Sequence, residues 1–588
     1  MILKHRLRVL VLIAIGLIGV HLLTSNRFHS NDLQSFLDNT INAKPNTGKN
    51  RPPEPGKSSG SEKDKVSSTS NIKPVNPKIR NYKIFFDDLD KYSISEPSIK
   101  GKYITEKAKE LFSTDDSFLF SKEYLENVLD IPDATYKAMA DSHYQYVHDH
   151  IPNLINKGVA TFGKLVPSDP EWSKYHGSSG YVLIGGGKYS WLSYLVIKQI
   201  RATGAKLPIE LFLASKDDYE ETFCTHIQSK YNARCNVFDT ELAKQLQEKF
   251  NIGGYQYKML ALLSSQFENV FYIDSDNFPT KNIDYIFDSE LYKKNNLILW
   301  PDAWARTTNP KFYEIAEVEV KENKLRYSKY DIKQAGGEEN LQPFSKYTFA
   351  DSWFHDFEGT LPDPTSETGM LVINKTSHLK TLLLCLYYNV FGPNFYYPIL
   401  TQGSAGEGDK ETFIAAATVM KEPWHQTLKQ FQWVGYHSKA TDSFTSKALG
   451  HFDPVQANDK PQPDNVDIVF MHLSYPKFYP NWLVDNNDLI YKDSDEHIRM
   501  YSAIDKNVGY DFDLRIFQFF TEGICPNYYK SDGSALDSNV DLNKETSYMG
   551  NYLEYIRADE ETNRDRCEKV FIPHLEWLKK TIPNDKSN

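Results

Sequence analysis

The chain has 588 residues, 40% of them apolar, enough for a substantial core arranged as one large domain or as two or three of average size. Its net charge of −11 and pI near 5.9 argue against a sequence-independent nucleic-acid binder, whose footprint is basic. Aromatic platforms for sugar rings are available among 37 Tyr and 34 Phe, although ordinary packing explains most such rings as well.

Residues 1–8 (MILKHRLR) are basic and residues 9–23 (VLVLIAIGLIGVHLL) almost wholly apolar. That run is short of the ~20 residues that span an average bilayer, and thinner early-secretory membranes shorten the requirement. No A-x-A-like cleavage site follows, since the next residues are TSNRFHS. Lys4, Arg6 and Arg8 put the N-terminus on the cytoplasmic side. The expectation is a single-pass type II signal anchor over 9–23 behind a cytoplasmic tail, 1–8. Residues 24–80 then form a stem. From about residue 42 it is rich in Pro, Gly, Ser, Lys and Asn, and such a segment cannot offset its own ordering entropy. Residues 81–588 make the lumenal body.

Within the body, apolar residues recur at helical spacing over 105–157. The stretch SGYVLIGGGKYSWLSYLVIKQIRATGAKLPIELFLAS then predicts a strand over 181–184, a glycine turn and a helix over 189–203 stopped by Gly204. A second strand over 209–213 completes a βαβ unit and with it a parallel sheet. In the turn, Gly185, Gly186 and Gly187 would let backbone amides approach a phosphate or a nucleotide ring. The turn is neither a dinucleotide fingerprint nor a P-loop, and a plain tight turn explains it equally. Cys224 and Cys235 could close a small loop, and Cys525 could pair with Cys567. Cys385, inside LLLCLYY, reads as a buried free thiol, and spacing alone does not fix the connectivity. A helix over 257–265 and a strand over 270–273 repeat the pattern, with further buried strands in NLILWPD, GMLVINK and DIVFMHL.

The strand over 270–273 ends in Asp274 and Asp276. Residues two apart on an extended chain point to one side, so the carboxylates converge. A divalent cation removes both their repulsion and their desolvation cost. Oxygen ligands with open positions suit Mn²⁺ or Mg²⁺ bridging to substrate phosphates, at the strand ends where open α/β sheets bind ligands. The plainer alternative is that both cap the following turn. The second Asp-Ser-Asp, at 493–495, precedes a helical pattern and reads as a helix cap. In SAGEGDKETF, Glu407, Asp409, Lys410 and Glu411 sit on a glycine-rich loop that enters a helix, either as N-terminal charges or facing a polar substrate. His472 ends a strand, with Lys477 five residues on, and is a candidate third metal ligand. Asn374-Lys375-Thr376 is a glycosylation sequon.

Taken together, KMLALLSSQFENVFYIDSDN, SETGMLVINK, GEGDKETF and MHLSYPKFYPNW occur in the order found in retaining GT-A-type glycosyltransferases. With VLIGGGKYSWL, LPIEL, WPDAWART and the anchor–stem–body layout, the chain resembles the fungal Golgi α-1,2-mannosyltransferases that branch cell-wall mannan, glycosyltransferase family 71. The resemblance spans roughly residues 170–480 by motif. It implies an α/β GT-A-type fold with a mixed, mostly parallel sheet flanked by helices. It also implies a Golgi enzyme that moves mannose from GDP-mannose to mannan or N-glycan outer chains. Asp274, Asp276 and His472 would hold Mn²⁺; Gly185, Gly186, Gly187, Lys258 and Lys477 would hold the donor. Trp300 and Asp302 would line the sugar and acceptor side, and Asp409 and Glu367 are the carboxylates expected to act in catalysis. Relatives with a sharper final motif carry Gly between the His and the Lys, where this chain has Ser-Tyr-Pro.

Three alternatives compete. A glycoside hydrolase flanks its bond with carboxyls roughly 5 to 9.5 Å apart and needs no metal, which suits an adjacent pair poorly. A non-catalytic glycan-binding wall protein would not need βαβ units. An α-1,3-mannosyltransferase or a mannosylphosphate transferase differs little at this level.

Overall fold

A computed structural model describes residues 81–102, 118–156, 175–492, 494–536 and 547–581. The expected tail, anchor and stem lie outside the described residues, as do 105–117 of the first helical stretch. Among the described residues no helix is long and apolar enough to cross a membrane.

The eleven strands among the described residues are β1 (Ser179–Ile184), β2 (Ile209–Leu213), β3 (Ala233–Val237), β4 (Asn269–Ile273), β5 (Asn277–Pro279), β6 (Leu297–Pro301), β7 (Ser366–Asn374), β8 (His425–Gln426), β9 (Gln432–His437), β10 (Phe444–Phe452) and β11 (Ile468–His472). The helices used below are α1 (Asp133–Gln145), α2 (Lys188–Ala202), α3 (Glu221–Tyr231), α4 (Tyr257–Ser264), α5 (Leu379–Val390), α6 (Thr412–Met420), α7 (Phe512–Ile524) and α8 (Ile572–Lys580).

Seven strands form one sheet in the order β3-β2-β1-β4-β7-β6-β8. Its pairs are parallel except where β7 runs against both β4 and β6. This is the expected mixed, mostly parallel α/β sheet. β1, α2 and β2 form the expected parallel crossover, and Gly204 (φ +85°) follows the helix in a conformation that other residues rarely adopt. Side chains alternate across the sheet. Val270 and Tyr272 of β4 face one apolar cluster with α4, α5 and α6, while Phe271 and Ile273 face another with α2 and α7. A sheet covered on both faces needs continuously apolar strands, and β2 and β6 are buried along their whole length.

A second, antiparallel sheet is ordered β5-β11-β10-β9. Cys224 pairs with Cys235 and Cys525 with Cys567, joining α3 to β3 and the end of α7 to the turn before α8; Cys385 stays a buried thiol. The helix expected after residue 495 does not form. Ile490 and His497 bridge antiparallel, so residues 494–496 close a loop, and residue 493 lies outside the described residues.

α8 carries a pH-sensitive contact. His574 is buried against Phe517 and Trp577, its Nδ1 3.0 Å from His497 Nδ1, and burial holds its imidazole down at about 3. Below pH 6.5 the unfolded chain takes up this proton and the folded chain does not, so stability falls as pH falls toward 3. By pH 5 the loss from this residue is about 2 kcal/mol. Urea unfolding at pH 7 and pH 5 checks this: His574→Phe narrows the gap between the two pH values, and an unchanged gap refutes it.

Candidate active site

β4 stays in register with β7 through Ile273, opposite Met370. Beyond it, the Asp274 N–H donates to Gly369 O at 2.6 Å and the Asn277 N–H donates to Asp274 O at 3.1 Å, which closes a tight turn. The chain then enters the small sheet as β5, where Asn277 sits opposite His472 on β11. The Leu473 N–H donates to Asp276 O at 2.9 Å. Asp274 and Asp276 therefore occupy the link between the two sheets, with His472 on the adjacent strand.

The side chains converge there. Lys477 Nζ donates to Asp276 Oδ2, and His472 Nε2 lies 3.8 Å from the same oxygen. The other ring nitrogen, Nδ1, is 3.3 Å from Glu367 Oε2, while Glu367 Oε1 accepts the Gly369 N–H. The Tyr272 hydroxyl donates to Asp274 Oδ1. Beneath the pair, the buried Lys258 of α4 reaches Asp409 Oδ2 at 2.9 Å and Asp274 Oδ2 at 3.6 Å, and donates to Thr368 O at 2.8 Å.

Burial pushes the Asp274 carboxyl up to about 6 against the pull of Lys258, and Asp276 beside it adds to the rise. Burial acts on Asp276 as well, but Lys477 and His472 outweigh it and hold that carboxyl below its ordinary value. His472 is opposed by burial yet raised to about 9 by Glu367 and Asp276. Burial also opposes ionisation of Glu367, but His472 outweighs it and keeps the carboxyl well down. Because Asp276 contributes to the rise at Asp274, the two carboxylates repel each other across the turn. Two carboxylates and an imidazole, with the Asp274 side chain about a third exposed, fit a divalent cation bound with open positions.

The other expected residues divide. Asp409 joins the cluster through Lys258. Asp302, which follows β6, is nearly buried and accepts Lys410 Nζ at 2.8 Å, a salt bridge that ties it to the loop before α6. Glu411 is paired with buried Arg306 and accepts the Ser366 N–H at 2.8 Å. In the glycine turn, the Gly185 N–H donates to Phe212 O and the Gly186 N–H to Ser190 Oγ, both at 2.8 Å, which leaves those two amides already bonded. Only Gly187, with φ +52°, has open space where a Cβ would stand. Trp300 does not line the cleft. Its indole is buried between Phe271 and Phe470 and donates to Phe452 O at 2.8 Å, because the odd residues of β4 and the end of β6 face that core. Asn374 is half-buried at the end of β7, and its Nδ2 donates to Asn269 Oδ1 at 2.8 Å.

Several site residues were not read from the sequence. Tyr189, at the start of α2, and Tyr255, just before α4, are about half exposed; burial raises the Tyr189 hydroxyl, helped by Asp276 and Asp274, and Asp409 adds to the rise at Tyr255. Tyr189 lies within the VLIGGGKYSWL stretch, where attention fell on the glycines, and Tyr255 has no motif. Tyr272 looked like one more apolar strand residue. His451, on β10, is fully buried, and neither ring nitrogen has a hydrogen-bond partner among the described residues. Burial keeps its imidazole down at about 3.

A family model described as "Mannosyltransferase putative" matches residues 178–453. The chain is 62% identical over 99% of its length, and 99% of the relative's, to a Candida albicans protein named alpha-1,2-mannosyltransferase MNN2. It is 35% identical to the Saccharomyces cerevisiae protein of the same name, over 70% of this chain and 72% of that one. The chain belongs to the fungal α-1,2-mannosyltransferase family. The matched span takes in Lys258, Asp274, Asp276, Glu367, Asp409 and His451 of this mannosyltransferase, and stops short of His472 and Lys477. Membership of a transferase family sets aside both the glycoside hydrolase and the non-catalytic wall protein. Among solved structures, the galactosyltransferase LgtC with donor and acceptor sugar analogs is similar at 12% identity, over 42% of this mannosyltransferase and 73% of that chain, with a TM-score of 0.23. A score that low does not relate one site to the other.

Proposed function

We propose that the chain transfers mannose from GDP-mannose to a mannose residue of mannan or an N-glycan outer chain. The new linkage is α-1,2, formed with retention of configuration and with Mn²⁺, by a lumenal domain held at the Golgi membrane through the N-terminal type II anchor. The observation that carries this reading is the convergence of Asp274, Asp276, His472 and Lys477 on one open cluster at the strand ends. Asp274, Asp276 and His472 Nε2 would hold the cation, which when bound neutralises charge growing on the leaving diphosphate. Lys477 adds a fixed positive charge beside it. Glu367 orients the His472 ring by taking up Nδ1 and aiming Nε2 at Asp276, the carboxylate–histidine arrangement common behind metal-ligating imidazoles. Lys258 supplies a buried positive charge between Asp274 and Asp409. Gly187 leaves room for the donor at the start of α2, and Tyr189 and Tyr255 offer faces on which a base or sugar ring can stack. Asp302, held by Lys410, stands on the acceptor side.

The test uses the full-length chain with GDP-mannose, a short α-mannoside and Mn²⁺, with and without chelator. The expected product is the acceptor longer by one α-1,2-linked mannose, absent when the metal is removed. An α-1,3 link or a mannosylphosphate ester in the product would replace this linkage, and undiminished turnover in chelator would remove the metal from the scheme.

A further inference from the structure

One buried group stands outside this scheme. His451 lies on β10 within the small sheet, and the β10–β11 ladder slips at His451/Phe452. Bulges re-aim side chains, and they gather next to active sites. The His451 ring is parallel to that of His472 within 23°, with centroids 6.5 Å apart. One ligand atom each from Glu367, His451 and His472 lies within 4.8 Å of the others. An imidazole fully removed from water with both nitrogens unpartnered among the described residues is costly to bury unless something else takes up those nitrogens.

We propose that Glu367, His451 and His472 form a second cation site, which takes a nitrogen-preferring transition-metal ion such as Zn²⁺ and shares His472 with the carboxylate pair. The donor set decides the ion. Asp274 and Asp276 offer oxygen and suit Mn²⁺ or Mg²⁺, whereas two imidazoles and one carboxylate are a set that Zn²⁺ takes in catalytic sites, with a fourth position left for water. Tetrahedral zinc sets its ligand atoms about 3.4 Å apart. Glu367 Oε2 and His472 Nδ1 are already at 3.3 Å. The other separations, all within 4.8 Å, would shorten by up to about 1.4 Å on binding. A neutral imidazole has one lone pair, so His472 serves one cation or the other. Zinc in the triad consequently takes His472 away from Asp276, and the two cations compete.

The experiment titrates the chelator-stripped, full-length chain with Zn²⁺ alone, with no nucleotide sugar present, so its failure leaves the proposed transfer reaction standing. One ion binds per chain, and X-ray absorption at the zinc edge counts two imidazoles. His451→Phe, which keeps a ring of similar bulk beside Phe431, weakens zinc binding on the order of 100-fold. Asp274→Asn leaves it within about threefold, a difference below 1 kcal/mol. The absorption count needs no variant, so misfolding of His451→Phe does not remove the test. A single imidazole in that count, loss of affinity in Asp274→Asn, or no stoichiometric zinc would each overturn the proposal.

Discussion

Asp276→Asn slows mannosyl transfer by on the order of 10²–10³-fold and leaves the protein folded. Asp276 is the one oxygen ligand that both Lys477 and His472 face, so its charge holds two cationic side chains in position as well as any bound metal. An amide of the same shape keeps the turn, whose closing bonds are made by backbone groups at Asp274, Asp276 and Asn277. What disappears is the negative charge between Lys477 and His472. The imidazole then has only Glu367 to support its raised protonation, and its pKa falls from about 9. Initial rates at saturating donor and Mn²⁺, beside a thermal melt of the same sample, check the expectation. A folded variant that keeps more than about a tenth of the wild-type kcat/KM would show that the charge is dispensable.

Lys258→Met acts on stability before it acts on catalysis. The lysine is the buried counter-charge of Asp409 and sits within reach of Asp274, with side chains of Lys258 and Asp409 each only 6% exposed. Methionine fills the space but leaves carboxylates facing each other without a cation, and breaking a buried pair from one side costs about 3–5 kcal/mol. Urea unfolding measures the loss. Adding Asp409→Asn to Lys258→Met recovers part of it, because the orphaned charge is then removed as well. If the single variant unfolds at the wild-type midpoint, or if the second substitution makes matters worse, the pair is not what holds this corner together.

The sheet was legible because its strands are short apolar runs ended by glycine or by charge. β1, β2, β4, β6, β7 and β11 fall where such runs were read, and α2 begins and ends beside Gly187 and Gly204. Asp274 and Asp276 were legible for the same reason, since two carboxylates break a hydrophobic strand at a point where only a ligand or a turn can use them. His472 and Lys477 follow from one more strand end. Trp300 was misread because a strand in a mixed sheet shows no polar face, so the sequence does not tell which side of β6 looks into a core and which into a cleft. Tyr255 and His451 were not legible at all, and Tyr189, though inside a quoted motif, showed no role. Their position depends on how loops and the second sheet fold back over the first, and nothing in the local pattern carries that. The helix expected after residue 495 failed because the bridge between Ile490 and His497 fixes the backbone before any helix can start.

The pairing of Asn277 with His472 joins residues 195 positions apart, 472 less 277. A ribosome adding about 5–20 residues per second leaves on the order of 10–40 s between the appearance of the first and the arrival of the second. Through that interval β5 has no partner and the two aspartates have neither Lys477 nor His472. The carboxylates are thus written early and neutralised late, and a message cut short between codons 427 and 471 encodes all seven strands of the large sheet but neither His472 nor Lys477.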